Sequence, residues 1–254
     1  MSGLCEKAAL GSRKEEIMDF KTLPRMIDIS CVKTNSSFDE MYKMIELAKK
    51  YKFICCFSMP YYTEWLVEQL KDTPEVMVGG TVGFPHGNDL TAIKVQSAII
   101  QKNLGCQEID MVQNVTALKH GDYDVVAADI AAVKASIGDT PLKVIQEVAY
   151  LTDYELCKGA EIAVKSGAAF VKTGTGWADK PTTVHHIKLI HDTIGDSAKI
   201  KAAGGVRNLE TMLAMIDAGC SRFGIGVNST VSILQEAGIW EEDAVKVCAS
   251  GDDY

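Results

Sequence analysis

Short, β-rich apolar runs alternate along this chain with longer segments whose apolar residues recur at three- and four-residue spacing. The runs fall at 25–30, 53–57, 76–83, 108–112, 142–148, 170–174, 199–205 and 222–226, with helical periodicity over 38–51, 90–103, 123–137 and 153–166 between them. Eight such units predict a parallel sheet with helical crossovers. A doubly wound open sheet shares that alternation, but eight units in about 230 residues favour closure into a TIM (β/α)₈ barrel. Helix-capping residue types agree: Ser36 and Ser37 precede one helical run, and Thr152 and Asp153 another. Gly105, Gly167 and Gly219 each stand just before the next strand, where a left-handed cap is useful. No linker or charge block divides the chain, so residues 1–254 read as one barrel domain. An N-terminal helical extension (to about residue 24) and a short C-terminal tail (about 246–254) are expected to flank it.

A net charge of −8 without a basic cluster argues against nucleic acid as a partner. No apolar run reaches the roughly 18 residues of a membrane span, and the polar first twenty positions lack the apolar core of a signal peptide. Cysteines 5, 31, 55, 56, 106, 157, 220 and 248 never adopt C-x-x-C spacing, so they read as reduced thiols in a cytoplasmic protein.

In a closed parallel barrel the site forms at the C-terminal ends of the strands, so polar residues late in apolar strands are the candidates. Lys172 and Lys201 each sit inside such a strand and are each followed by a glycine-rich turn; Lys199, at a strand start, reads as solvent-directed. Neighbouring strands lie about 4.8 Å apart, so two inward ammonium groups would repel one another. Repulsion and desolvation both lower a lysine's pKa, which a lysine nucleophile needs near neutral pH. Spacing alone leaves open which lysine attacks and which tunes. Asp110, mid-strand and sharing parity with Glu108 and Val112, can pair with Lys201 and relay protons through a water. Asp28 on the first strand has either a structural or a substrate-binding role.

The turn at Gly204 and Gly205, and Gly226 and Val227 before a helical run starting near Ser229, offer main-chain N–H groups of the kind that hold phosphate in barrels. Thr175 and Gly176 after the sixth strand can add a hydroxyl and further N–H groups. Metal chemistry finds little support. His185, His186 and His191 fall on an outer helix, and among the histidines only His86 lies near a strand end.

Together these motifs resemble the deoxyribose-phosphate aldolase family from about residue 28 to 230. The resemblance rests on F-V-K-T-G-T-G-W (170–177), K-A-A-G-G-V-R (201–207) and E-I-D-M-V (108–112), supported by F-P-H-G-N-D (84–89), L-K-V-I-Q-E (142–147) and R-F-G-I-G (222–226). It implies that Lys172 forms the Schiff base, Lys201 lowers its pKa, and Asp110 is the acid/base partner. It also implies that the terminal Tyr254 assists proton transfer and that the protein is a homodimer. The implied reaction is reversible cleavage of 2-deoxyribose 5-phosphate to acetaldehyde and glyceraldehyde 3-phosphate, with no metal or organic cofactor. The chain departs from the family in carrying Gly174 where a serine is common, and Gln146 and Val148 in place of an apolar residue and a threonine. A class I aldolase with another short aldehyde substrate and a non-catalytic sugar-phosphate-binding barrel are the competing readings.

Overall fold

In the computed structural model residues 18–241 are described, and they form a closed barrel of eight parallel strands in sequential order. The strands are β1 (Ile27–Cys31), β2 (Cys55–Ser58), β3 (Met77–Val82), β4 (Glu108–Val112), β5 (Leu142–Ile145), β6 (Phe170–Lys172), β7 (Lys199–Ala203) and β8 (Arg222–Gly226). Helices α1 (Phe38–Tyr51), α2 (Thr63–Leu70), α3 (Thr91–Asn103), α4 (Val115–His120) and α5 (Tyr123–Ile137) lie between the first five strands. Helices α6 (Asp153–Lys165), α7 (Val184–Ile194), α8 (Leu209–Asp217) and α9 (Val227–Glu236) complete the outer ring. The open-sheet alternative is set aside by the pairing of β1 with β8.

The strands alternate in a way that separates packing from chemistry. Ile29, Ile109, Met111, Val144, Val171, Ile200, Ala202 and Phe223 belong to the buried apolar core that the helices cover. The residues between them, Asp28, Asp110, Lys143, Lys172, Lys201 and Arg222, are buried and charged. Successive strand residues face opposite sides of the sheet, so apolar surface meets the helices while charge fills the barrel interior.

Helix starts follow local chemistry. Ser37 caps α1 by accepting from the Glu40 N–H, and Thr152 and Glu155 cap α6 reciprocally. Several strands end earlier than their apolar runs. β7 stops at Ala203 because Gly204 and Gly205 take φ of 85° and 94°, outside the extended region. β5 stops at Ile145, and the chain turns out through Glu147 at φ 47°. β1 begins two residues later than its run because Pro24 lies in a 3₁₀ turn (Phe20–Met26) and Arg25 donates to the Lys52 and Glu75 carbonyls at 2.8 Å. Apart from that turn, the expected N-terminal extension and the C-terminal tail, Tyr254 included, lie outside the described residues. Among the described residues no helix is long and apolar enough to cross a membrane.

Candidate active site

A cleft of about 1210 Å³ opens at the C-terminal ends of the strands, lined among others by Asp28, Phe57, Lys172, Thr175, Lys201 and Gly204. At its floor the Asp110 carboxylate is held by two lysines. Its Oδ2 accepts from Lys172 Nζ at 2.9 Å and from Lys201 Nζ at 2.7 Å. β6 and β7 pair Lys172 directly opposite Lys201, so the sheet register itself brings the two ammonium groups onto one carboxylate. Lys201 also contacts Asp28 Oδ2 at 2.5 Å. Asp28 is thus an ion-pair partner at the base of the cleft, bound by Arg222 and Lys143 as well.

Burial drives the Lys172 ammonium down from the usual lysine value to about 8; Asp110 opposes this, and the positive charges of Lys201 and Lys143 reinforce it. Burial alone would raise the Asp28 carboxyl, but Lys143, Lys201 and Arg222 hold it at about 2. The same opposition of burial by Lys143, Lys172 and Lys201 keeps Asp110 well below the usual carboxylate range. Phe57 adds an aromatic face, its ring centre 4.3 Å from Lys201 Nζ and 6.0 Å from that of Lys172. The ring fits because β3 has a glycine beside it: a Cβ on Gly79 would lie 2.1 Å from the Phe57 ring.

One wall of the cleft is the segment after β6. Glu147 accepts hydrogen bonds from the Thr175 hydroxyl and, at 3.3 Å, from its N–H. A Cβ on Gly174 would stand 3.1 Å from the Glu147 carboxylate, so the glycine that replaces the family's serine leaves room for this contact. Lys33 Nζ donates to the Gly176 carbonyl at 2.6 Å, and Trp177 Nε1 to the Val32 carbonyl at 3.0 Å, which ties the segment across the cleft to the loop after β1. Burial raises the Glu147 carboxyl against its Thr175 hydrogen bonds, and burial followed by the charge of Arg207 lowers Lys33. Thr175 is therefore oriented by a carboxylate, and Gly176 contributes its carbonyl to Lys33.

The glycines expected to cradle phosphate begin beside this wall, where the Thr182 N–H donates to the Gly204 carbonyl at 2.8 Å. Gly204, Gly205, Gly226 and Ser229 line the cleft together with Lys33 and Arg207. Val227 is buried and is the first residue of α9, so its side chain faces the core and only its main-chain N–H belongs to the helix start. The histidines stay away from the floor: His185 pairs with Asp153 on the surface, and His86 lies exposed beside Asp89. Asp28, Cys55 and Glu108 approach one another closely enough to suggest a cation site, but both carboxylates there are already engaged by Lys143 and Arg222.

Sequence reasoning missed Lys143, Arg222 and Glu147. Lys143 carried the same signal as the other two lysines, a charge inside a short apolar strand. Arg222 stands at a strand start, where it reads like Lys199, yet its guanidinium turns inward to Asp28 and Glu108 while Lys199 is exposed. Glu147 closes the L-K-V-I-Q-E motif, but its contact with Thr175 had no readable signal, because it depends on a left-handed backbone after β5.

A barrel whose interior carries a depressed lysine on a shared carboxylate, beneath a glycine-lined cationic rim, has the layout of an enzyme acting on a phosphorylated carbonyl compound. The chain belongs to the DeoC/LacD aldolase family, whose profile matches residues 18–235. It is 43% identical over 214 residues to a deoxyribose-phosphate aldolase of Staphylococcus carnosus, covering 83% of this chain and 94% of that one. To the deoxyribose-phosphate aldolase of Rhizobium meliloti it is 38% identical over 216 residues, 85% of this chain and 87% of the relative. A Coccidioides immitis crystal structure, provisionally assigned the same activity, superposes with a TM-score of 0.82 at 29% identity, covering 87% of each chain.

Proposed function

We propose that this enzyme reversibly cleaves 2-deoxyribose 5-phosphate to acetaldehyde and glyceraldehyde 3-phosphate through an imine on Lys172. The observation that carries this reading is the Asp110 carboxylate shared between Lys172 at 2.9 Å and Lys201 at 2.7 Å. Neutral Lys172 attacks C1 of the open-chain sugar, and the carbinolamine loses water to give a protonated imine. The C3 hydroxyl gives up its proton as the C2–C3 bond breaks. That bond's electron pair moves into the imine to form an enamine, and glyceraldehyde 3-phosphate leaves. Protonation at C2 and hydrolysis then release acetaldehyde and restore the amine. Asp110 and Lys201 move these protons through a bound water, and Asp28 holds Lys201 in place. The iminium is the electron sink, so the sequence of steps calls for no cofactor.

The phosphate lies against the N–H groups of Gly204 and Gly205 and the start of α9, with Lys33 and Arg207 at the rim. Thr175 and Gly176 border the sugar. Association as a homodimer belongs to the same reading on family resemblance, and light scattering on the purified protein tests it.

The decisive assay measures acetaldehyde release from 2-deoxyribose 5-phosphate against release from unphosphorylated 2-deoxyribose. Robust turnover of the phosphate ester supports the proposal; turnover confined to other aldehydes refutes the substrate, and a bound sugar phosphate without turnover refutes the enzyme. Arg207→Ala is expected to raise KM for the phosphorylated sugar by about tenfold, leaving KM for deoxyribose unchanged. Equal effects on both substrates would move the phosphate elsewhere. Because attack needs the free amine, kcat/KM is expected to rise with pH and level off above about 8, set by Lys172. A limb still rising near 10.5, the ordinary lysine value, would mean that the nucleophile is not depressed.

A further inference from the structure

Deeper in the barrel than Lys172 lies further buried charge that the reaction itself does not use. Lys143 Nζ from β5 lies 2.6 Å from Glu108 Oε2, 3.1 Å from Asp110 Oδ1 and 3.4 Å from Asp28 Oδ2. Arg222 from β8 reaches Asp28 Oδ1 and Glu108 Oε2, each at 2.5 Å. These side chains are all at least nine-tenths buried, so water compensates them little. The connected set is Lys143, Lys172, Lys201 and Arg222 against Asp28, Glu108 and Asp110. Cations outnumber carboxylates by one.

The surplus is not shared evenly. Lys143 contacts Glu108, Asp110 and Asp28; Arg222 contacts Asp28 and Glu108; Lys201 contacts Asp28 and Asp110. Among the described residues Lys172 contacts one carboxylate, Asp110, on the same oxygen that Lys201 occupies at a shorter distance. Among the described residues, the other groups facing this set make no ion pair with it. The Cys55 thiol, on β2, is raised far above its ordinary range by burial and stays neutral, and Phe57 is uncharged. Glu147, above Lys172, gives both carboxylate oxygens to Thr175 and forms no ion pair with the set among the described residues, its charge acting on Lys172 and Lys33 alike. The ammonium with least compensation is therefore Lys172, which lines the cleft.

We infer that Lys143, Glu108 and Arg222 are positioning residues that set the charge count of the barrel interior, so that Lys172 is the cation it compensates least and the one that gives up its proton most readily. Lys143 and Arg222 both sit on Glu108 Oε2 and both contact Asp28, which leaves Asp110 as the carboxylate for Lys172. A set that served packing alone would not care about the sign of the charge removed. A set that counts charge must respond in opposite directions to losing an anion and losing a cation.

This inference rests on the imine reading above, and its test uses imine formation directly: the pH dependence of borohydride trapping with acetaldehyde on the full chain. Glu108→Gln keeps an acceptor for Lys143 while removing a negative charge, and it should move the acid-side midpoint of trapping to lower pH. Lys143→Met removes a positive charge and should move it to higher pH, each by about half a pH unit or more for charges at this depth. The double variant Lys143→Met with Glu108→Gln loses one charge of each sign and should return towards the wild-type midpoint. Folded variants, by circular dichroism, whose midpoints coincide with wild type would overturn the inference and leave the imine intact. If Lys143→Met does not fold, the near-isosteric Glu108→Gln decides by itself. A wild-type protein that traps nothing would instead sink the imine reading.

Discussion

Lys172→Ala is expected to lower kcat by on the order of 10⁴-fold or more, the scale seen when an enzyme loses the nucleophile its other groups serve. Asp110, Lys201 and the phosphate pocket have nothing to act on once no imine can form, so little activity remains to be shared among them. The fold should survive the change. Lys172 is the least compensated cation of the interior, and its removal leaves Lys143, Lys201 and Arg222 facing Asp28, Glu108 and Asp110 in balance. Its ammonium also carries a desolvation cost that no second carboxylate relieves. Lys172→Met, which keeps most of the side-chain volume, should therefore melt no lower than wild type. A coupled assay for glyceraldehyde 3-phosphate and a thermal scan together check both halves. Loss of activity accompanied by loss of folding would mean that Lys172 is a structural ion-pair residue.

Asp110→Asn should be the more damaging change to the protein as a whole. Asp110 pairs with Lys143, Lys172 and Lys201, and an amide would leave these ammonium groups facing one another with only Asp28 and Glu108 remaining. Breaking a buried ionic set from one side typically costs about 3–5 kcal/mol. Turnover should fall by roughly 10²–10⁴-fold, because the group that moves protons to and from the carbinolamine is gone. The surviving activity should show its acid limb shifted to lower pH, since Asp110 is the charge that opposes the depression of Lys172. Urea titration and the pH–rate profile measure the two effects separately. A variant as stable as wild type would show that the carboxylate is not compensating the lysines.

The barrel was legible because its alternation is carried by covalent sequence order: β4 and β8 fall where their apolar runs do, as do α1 and α5. Strand ends were less so, since β5 and β7 stop where backbone angles change sign, and nothing in a run of apolar letters records that change. Lys172, Lys201 and Asp110 stood out as charges inside buried strands, and the structure brings all three together. Lys143 had the same signal but sits one inward position below Lys172, and a strand position does not state its depth in the barrel. The depth comes from stagger: β4 pairs Asp110 with Lys143, and β6 then pairs Lys172 with Ile145, one inward position further on. Glu147 and the compensating absence of a side chain at Gly174 appear only when the loops after β5 and β6 are seen side by side.

The most direct measurement is borohydride reduction in the presence of acetaldehyde, followed by peptide mass mapping. A reduced two-carbon adduct on the peptide containing Lys172, absent from Lys172→Ala, is the expected result. An adduct on Lys201 instead, or no adduct on a folded protein that still cleaves 2-deoxyribose 5-phosphate, would contradict the account.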